Sequence, residues 1–561
     1  MDASTPIENH LTPAPLVSRR RVIAGATVAG AVVATGALAA GSAGAEGATF
    51  AHGVASGDPL PDAVVLWTRV TPTAASKPGS GVGPAVAVTW EVARDPGFGS
   101  VVASGSIRTT AARDHTVKID AVGLEPSTWY YYRFRVDGAT SPVGRTRTAP
   151  PYESSPDRLR FGVVSCANLQ AGYFHAYRAL AQRDDLDAII HLGDYIYEYG
   201  PGEYGYGKDD VDVRSHVPAR EMVSLADYRK RHAQYKQDAD LAALHVRLPF
   251  IATWDDHEFA DNTWQDGAEN HDPATEGSWQ ARRAAAFQAY DEWMPVRLSG
   301  TAAVGDGTQI YRRLRFGRLL ELSMLDLSSY RTEEISVATM TGGQQKIAGA
   351  AQMEWLASGL RDSPAQWKLV GNPVMIAPVD FGTLPRRSAD ALAEMVGEVF
   401  GPEGLPYNLD QWDGYVRDRR SLYQFLRDNR VSDVVFLTGD IHSAWASDLP
   451  IDPGAYPWNW STVGVEMVCT SVTSNNFKDM VGTTALSPVA ATAIRIANPH
   501  IKFCDLDNHG YSVLDVTARR TQMDWYVTAD RATRDSSSTW VRSFQTIAGT
   551  RRLMPAFRPV R

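Results

Sequence analysis

Five short apolar runs along the chain are each followed directly by acidic, Cys, His or Asn residues. In chain order they cover residues 159–164, 188–192, 250–254, 369–370 and 434–437. Short runs rich in Val, Ile, Leu and Phe predict strands that are buried on both faces of a sheet. Because ligands bind beyond the carboxyl ends of such strands, the polar residues that follow them are candidates for one shared site.

Helical patterns lie between these runs. They cover residues 173–183, 225–243, 278–293, 352–360 and 418–429. Strands that alternate with helices predict an α/β (α+β) architecture in which helices flank central sheets. We place this domain at residues 156–561, after a Pro/Ser-rich linker at residues 146–156.

The end of the chain carries one more apolar pattern. Trp540, Val541, Phe544 and Ile547 follow one another at helical spacing. This spacing predicts a helix near residues 536–553, which either packs into the core or lies over the opening of the site.

Residues 46–150 have a different pattern, in which apolar and polar positions alternate between Gly, Pro, Asp and Ser turns. The alternating segments are residues 63–70, 86–93, 101–109 and 128–136. Such spacing predicts a small all-β sandwich. Its segment at residues 123–134 resembles the corner before a late strand of fibronectin type III domains.

The first 45 residues predict a processing signal. Arg19 and Arg20 precede a Gly- and Ala-rich apolar stretch that closes on an A-x-A site at Ala45. A membrane anchor is the alternative, but the stretch is only weakly hydrophobic and a cleavage site follows it. We therefore expect a twin-arginine signal and a secreted protein.

Charge and cysteine content bear on the possible partners and on metal binding. The formal net charge of −9 argues against a sequence-specific nucleic-acid partner, which would need a basic surface. Of the three cysteines, Cys469 and Cys504 are as well explained by a disulfide as by free thiols. Cys166 follows a predicted strand beside Asn168, so we interpret it as a metal ligand, since thiolates bind soft and borderline metals.

The strand ends supply the remaining candidate chemistry. The candidates are Asp194 and Tyr197, Asp256 and His257, Asn372, and Asp440 and His442. A carboxylate such as Asp194 can bridge two cations, and alternate residues such as Asp440 and His442 point the same way on an extended segment. The residues together predict a multinuclear metal site. Asp255 and Asn262 lie beside it, where loop hydrogen bonding is the simpler role.

In this order the motifs resemble those of the calcineurin-like metallophosphoesterases, and among them the PhoD-type alkaline phosphatases. The resemblance spans nearly the whole chain after residue 45, from the opening motif at residues 53–59 to the last strand end. Gly193-Asp194 with Tyr197 is also similar to the G-D-x-x-Y pattern of purple acid phosphatases. Cys166, Asp256 and Asp440 depart from that pattern in the way the PhoD type does.

The resemblance implies a set of metal ions and ligands. Fe3+ would be held by Cys166, Asp194, Tyr197 and His442. Ca2+ would be held by Asp194, Asp256, Asn372 and Asp440. It also implies a second Ca2+ whose ligands the sequence does not locate. Beside Asp194 and Asp256, His257 is the third catalytic candidate, as an orienting donor or acid for the phosphoryl group.

The implied activity is hydrolysis of phosphate monoesters and diesters by a metal-activated hydroxide. A calcium-stimulated phospholipase D is the alternative, with phospholipid headgroups as substrates and transient contact with a membrane surface. A non-catalytic surface binding module is the third hypothesis. The sequence leaves the physiological substrate, the pH optimum and the oligomeric state open.

Overall fold

The computed structural model describes residues 48–298, 309–334, 345–380 and 408–561. The predicted signal at residues 1–45 lies outside this part of the chain. Across the described ranges, no helix combines the length and apolar character needed to cross a membrane.

Strands occur along the whole described part of the chain. The strands are β1 Val54–Gly57, β2 Ala63–Arg69, β3 Val86–Ala93, β4 Val101–Thr109, β5 Thr116–Val122, β6 Trp129–Val136, β7 Ala139–Thr140, β8 Gly144–Arg147, β9 Arg158–Val164, β10 Ala188–Leu192, β11 Phe250–Thr253, β12 Arg312–Phe316, β13 Leu320–Met324, β14 Trp367–Asn372, β15 Val434–Thr438, β16 Ala444–Pro450, β17 Thr462–Val468, β18 Ile501–Asp505, β19 Gly510–Thr517, β20 Arg520–Thr528, β21 Ser538–Ile547 and β22 Leu553–Ala556.

The helices lie between the later strands. They are α1 His175–Ala181, α2 Leu225–Lys236, α3 Ala239–Arg247, α4 Pro273–Glu276, α5 Trp279–Trp293, α6 Gly349–Asp362, α7 Val416–Asp428, α8 Phe477–Val481 and α9 Ser487–Ala497. Short 3-10 helices cover Ala111–Arg113 and Pro453–Ala455. The predicted helix at residues 225–243 is two helices, because Asp238 caps α3 by accepting from the N–H groups of Asp240 and Leu241.

Two large sheets pack face to face. The first has the order β22-β21-β20-β19-β9-β10-β11-β1-β2-β5, and the second has the order β12-β13-β14-β15-β17-β16-β18. Their inner faces share an apolar core, in which the rings of Phe161 and Phe316 lie 5.6 Å apart. Helices α1, α2, α3 and α5 cover the outer face of the first sheet, and α6, α7 and α9 cover that of the second. The predicted α/β architecture with helices flanking central sheets is confirmed.

The direction of the central strands brings the candidate residues to one edge. β9, β10 and β11 are parallel, and so are β13, β14, β15 and β17. All five predicted runs are strands of these two groups. Their carboxyl ends therefore lie at the same edge of each sheet, where Leu192 pairs with Thr253 and Asn372 with Thr438.

The N-terminal region is all-β, as predicted, but one of its two sheets is not its own. β1, β2 and β5 extend the first large sheet beyond β11. They pack through Val64, Leu66, Tyr132 and Phe134 against the small sheet of β3, β4, β6, β7 and β8. Residues 46–150 therefore contribute strands to the central sheet, and the domain boundary near residue 150 stays a prediction.

The prediction of a helix at residues 536–553 is wrong. This segment forms β21 and the start of β22, which complete one end of the first sheet. Arg542 pairs with Trp525 and Trp540 with Tyr526, so Val541 is an extra residue in a bulge. A bulge shifts by one position the alternation of side chains between the two faces of the strand. Val541 and Phe544 therefore face the same core, and their spacing of three residues resembles that of a helix. A helical lid is therefore not part of the structure at this segment.

The cysteines are all unpaired. Cys469 is buried and lies with its Sγ 3.4 Å from Ser165 Oγ, whereas Cys504 is partly buried on β18. The disulfide between Cys469 and Cys504, one of two alternatives from the sequence, is absent from the structure.

Candidate metal centre and active site

Backbone hydrogen bonds join the ends of β9 and β10. The N–H of Cys166 donates to the carbonyl of Gly193 at 3.2 Å, and the N–H of Ala167 donates to that of Asp194 at 2.9 Å. A Cβ on Gly193 would lie 2.6 Å from Asp255 Cβ, so only glycine lets the end of β11 approach so closely. The three strand ends are packed directly on one another.

Four of the candidate residues have left-handed backbone conformations. Their φ angles are 59° for Cys166, 55° for Asp194, 61° for Asp440 and 55° for His442. Such conformations are unfavourable outside glycine and persist where the surrounding structure enforces them. Their concentration at three neighbouring strand ends supports a functional site at this edge.

The first cluster contains Cys166, Asp194 and His442. One possible ligand atom from each lies within 4.8 Å of the others. The Tyr197 hydroxyl donates to Asp194 Oδ2 at 3.0 Å and lies 3.3 Å from His442 Nε2, so it joins the same group. His442 Nδ1 lies 2.7 Å from the carbonyl of Asn475, which can only accept a hydrogen bond. Nδ1 therefore carries the hydrogen, and Nε2 has its lone pair available for a metal.

A second cluster shares Asp194 with the first. It contains Asp194, Asp256 and His257, again with candidate ligand atoms within 4.8 Å. Asp194 Oδ2 faces Tyr197, whereas Asp194 Oδ1 is buried and has no hydrogen-bond partner among the described residues. A buried carboxylate oxygen without a partner carries a large desolvation cost, which a cation at that position would offset.

Asn372 and Asp440 end the neighbouring strands of the second sheet. Asn372 Oδ1 accepts from Trp412 Nε1 at 3.0 Å, and its amide donates to Thr438 Oγ1 at 3.1 Å. Asp440 Oδ2 accepts from Gln411 Nε2 at 2.9 Å. Both side chains are oriented by these contacts. Asp440 does not belong to the two clusters described above.

His257 is held by a carboxylate that the sequence reasoning missed. Its Nδ1 donates to Glu198 Oε2 at 2.9 Å, and its ring lies 4.2 Å from that of Tyr197. Glu198 is fully buried and also accepts from the N–H of Asp261 and from Asn270 Nδ2. Its position directly after Tyr197 was the only signal in the sequence.

Glu258 is a second missed residue. Its carboxylate accepts from the N–H groups of Asp194 at 3.1 Å, Tyr195 at 2.6 Å and Asp255 at 2.8 Å. Glu258 therefore joins the ends of β10 and β11. Asp255 Oδ1 accepts from Ser328 Oγ, and the N–H of Asn262 donates to Asp256 Oδ2, as expected for loop hydrogen bonding.

The electrostatics of the cluster favour cations. Burial raises the pKa of Asp194 well above its usual range, and the carboxylates of Asp256 and Glu258 raise it further. Burial also raises the pKa of the Cys166 thiol well above its usual range and lowers that of His442 to about 3. Metal binding replaces the protons of Asp194 and Cys166, and the imidazole of His442 is already neutral. Thiolate, carboxylate, phenol and neutral imidazole groups therefore fit a centre that takes more than one metal ion.

Known proteins match both parts of the chain. The family model for PhoD-like phosphatases matches residues 161–525, and that for the N-terminal domain of PhoD-like phosphatases matches residues 36–150. Alkaline phosphatase D of Bacillus subtilis (strain 168) is 37% identical over 490 residues, which cover 85% of this chain and 77% of the relative.

Solved structures agree. The structure of PhoD superposes with a TM-score of 0.79 at 34% identity and covers 91% of this chain and 92% of its own. Purple acid phosphatase PPD1 from yellow lupin seeds has a TM-score of 0.50 at 12% identity, covering 88% of this chain and 74% of its own, and shows likeness of fold alone. The chain therefore belongs to the PhoD-like phosphatases and is a phosphoric ester hydrolase that acts on phosphate esters.

Proposed function

We propose that this phosphoesterase depends on bound iron and calcium and hydrolyses both phosphate monoesters and diesters. The Fe3+ ligands we propose are Cys166, Asp194, Tyr197 and His442. The Ca2+ ligands we propose are Asp194, Asp256, Asn372 and Asp440. One observation carries the proposal. Asp194 belongs to two adjacent donor clusters and has a buried oxygen without a hydrogen-bond partner.

When bound, such metal ions neutralise the phosphoryl oxygens and lower the pKa of water, so that a hydroxide can attack phosphorus in line with the leaving alcohol. His257 contributes a proton from the protein. Although burial lowers its pKa, the carboxylates of Asp256 and Glu198 raise it well above its usual range. With Nδ1 bound to Glu198, Nε2 of the imidazolium is the atom that donates to a phosphoryl oxygen or to the leaving group.

Phospholipid headgroups are the second candidate substrates. Tyr204 lies beside His257 with their rings 6.2 Å apart, and Tyr206 is partly exposed on the same loop. An aromatic wall of this kind accommodates apolar parts of a substrate. Rates on a chromogenic monoester, a diester and phosphatidylcholine, each with and without added calcium, rank the two candidates.

Elemental analysis of the purified protein tests the metal proposal. We expect about one iron per chain and calcium-dependent turnover in the wild-type protein. Cys166→Ala should lose iron and activity together, whereas Cys504→Ala, which removes a thiol far along the chain on β18, should lose neither. If Cys166→Ala keeps its iron and its rate, Cys166 is not a ligand.

We also propose twin-arginine export. The support is the Arg19-Arg20 pair ahead of a Gly- and Ala-rich stretch that ends at Ala45. Replacing both arginines with lysine should leave the enzyme inside the producing cell, as measured by activity in the medium and in the lysate. Equal activity in the medium for both proteins would contradict this route.

A further inference from the structure

A concave pocket lies at the edge of the first sheet opposite the candidate metal centre. Its volume is about 270 Å³, and it is lined by the start of β9, the end of β19, the start of β20 and the segment after β22. The lining residues are Arg158, Arg160, Asp515, Arg520, Gln522, Arg558, Pro559, Val560 and Arg561. A space of this size suits a small ion or one unit of a chain, and is below the usual range for drug-sized ligands.

Five arginines and one aspartate line this arginine pocket, an unusual balance in a chain whose formal net charge is −9. The sequence around it is also biased, because residues 536–561 contain five arginines and no acidic residue. Like charges gathered around one cavity repel one another, and a bound anion removes that repulsion.

The buried carboxylate of Asp515 does not satisfy the arginines around it. Its Oδ1 accepts from Arg160 Nε at 3.0 Å and lies 3.4 Å from Arg158 Nε. Its Oδ2 lies 3.3 Å from Arg520 Nη2 but accepts no hydrogen bond among the described residues. Arg160 has further acceptors in Asp185 and in the main-chain oxygen of Arg561, at 2.9 Å from Nη2. Arg520 differs, because its Nη1 is buried and has no hydrogen-bond partner among the described residues.

The pocket is separate from the candidate metal centre. Arg158 begins β9, and Cys166 lies just beyond the other end of the same strand. At about 3.3 Å per residue, the two residues are roughly 25 Å apart along the strand. A single phosphate ester cannot contact both, so an anion in the pocket is not the ester being cleaved.

We propose that the arginine pocket binds a phosphate group, either as free inorganic phosphate or as one unit of a polyphosphate chain. An arginine guanidinium can donate two parallel hydrogen bonds to two phosphate oxygens. A phosphate with two negative charges also neutralises more of the excess positive charge of the pocket than a carboxylate does. Arg520 and Arg558 both line the pocket. Arg520 Nη1 is a donor without a hydrogen-bond partner among the described residues, and Arg558 is exposed.

Calorimetric titration of the metal-loaded protein with inorganic phosphate tests the site. We expect a binding event that Arg520→Gln/Arg558→Gln weakens roughly 10-fold or more, since each change removes a charged donor. Arg108→Gln, which removes one exposed charge on β4, is the matched control and should bind phosphate as the wild-type protein does. Arg558→Gln alone, at an exposed position, provides a variant with little effect on folding.

A second titration, with polyphosphate, identifies the source of the phosphate. A chain ligand should bind the wild-type protein more tightly than inorganic phosphate does and should lose most of that advantage in the double variant. Equal affinities for the two probes would assign the pocket to free phosphate. Chelation of metal by polyphosphate is common to all variants, so differences between them report the pocket. Identical titrations of the wild-type protein and the double variant with both probes would overturn the proposal.

Discussion

Replacing Asp440 with Asn should make the metal-free protein more stable at alkaline pH. Burial, together with the carboxylates of Asp410 and Asp256, raises the pKa of Asp440 from 3.8 to about 7. This difference corresponds to about 4 kcal/mol of unfolding free energy. Asn has the same shape and keeps an oxygen that accepts from Gln411 Nε2, so the substitution removes the charge alone.

The sign of the effect follows from proton binding. Between about pH 4 and pH 7 the folded protein holds a proton on Asp440 that the unfolded chain has lost. The unfolding free energy of the metal-free protein therefore falls as the pH rises through this window and stays low above pH 7. From pH 5 to pH 8 the loss from this group is about 3 kcal/mol, and Asp440→Asn should not show it.

Urea unfolding of chelator-treated protein at pH 5 and pH 8 measures this difference. The control is Asp137→Asn, an exposed position in the turn between β6 and β7, which should keep the wild-type pH dependence. If Asp440 is a calcium ligand as proposed above, adding calcium should reverse the order of stability at pH 8, because the cation would stabilise the ionised Asp440 that the variant lacks. If the unfolding free energies of the wild-type protein and Asp440→Asn change with pH in parallel, the ionised Asp440 carboxylate does not destabilise the metal-free protein, and the reasoning is refuted.

Three further substitutions test other parts of the structure. Glu258→Gln replaces an acceptor of three N–H groups with an amide. It should lower the unfolding free energy by about 2 kcal/mol, measured by urea unfolding. It should also weaken metal retention, measured by elemental analysis. His257→Asn should reduce kcat about 100-fold or more with iron content unchanged, and a normal kcat would exclude His257 as proton donor. Phe544→Ala should cost about 3–5 kcal/mol of unfolding free energy because Phe544 packs between the sheets, whereas a lid residue would change only activity on bulky substrates.

The strand ends were predictable because two simple signals coincide there. A buried parallel strand needs a continuous apolar run, and a polar residue directly after it has to lie at the sheet edge. Cys166, Asp194 and His442 follow this rule, and the structure places them within one cluster. The place of each residue at a strand end follows from this local pattern, whereas their meeting in one cluster depends on how the two sheets pack.

Other features depend on contacts between distant segments, which no local pattern encodes. Glu198 and Glu258 are acidic residues near the site like many others, and their roles follow only from the N–H groups and the imidazole that face them. The C-terminal strand was missed because the bulge at Val541 imitates helical spacing. β1, β2 and β5 read as part of a separate sandwich, since the strand that continues their sheet, β11, lies more than 100 residues later.

Several unfavourable terms coincide at the sheet edge that carries the candidate metal centre. Cys166, Asp194, Asp440 and His442 have left-handed conformations, each costing of the order of 1 kcal/mol or more. Burial of Asp194 beside other carboxylates adds an electrostatic cost, and its Oδ1 lacks a partner. A bound cation acts on both electrostatic terms at once, because it neutralises the carboxylates and supplies the missing partner. Metal loading should therefore stabilise the ends of β9, β10 and β15 more than the arginine pocket at the opposite edge, and hydrogen exchange of these two edges, with and without metal, measures that difference.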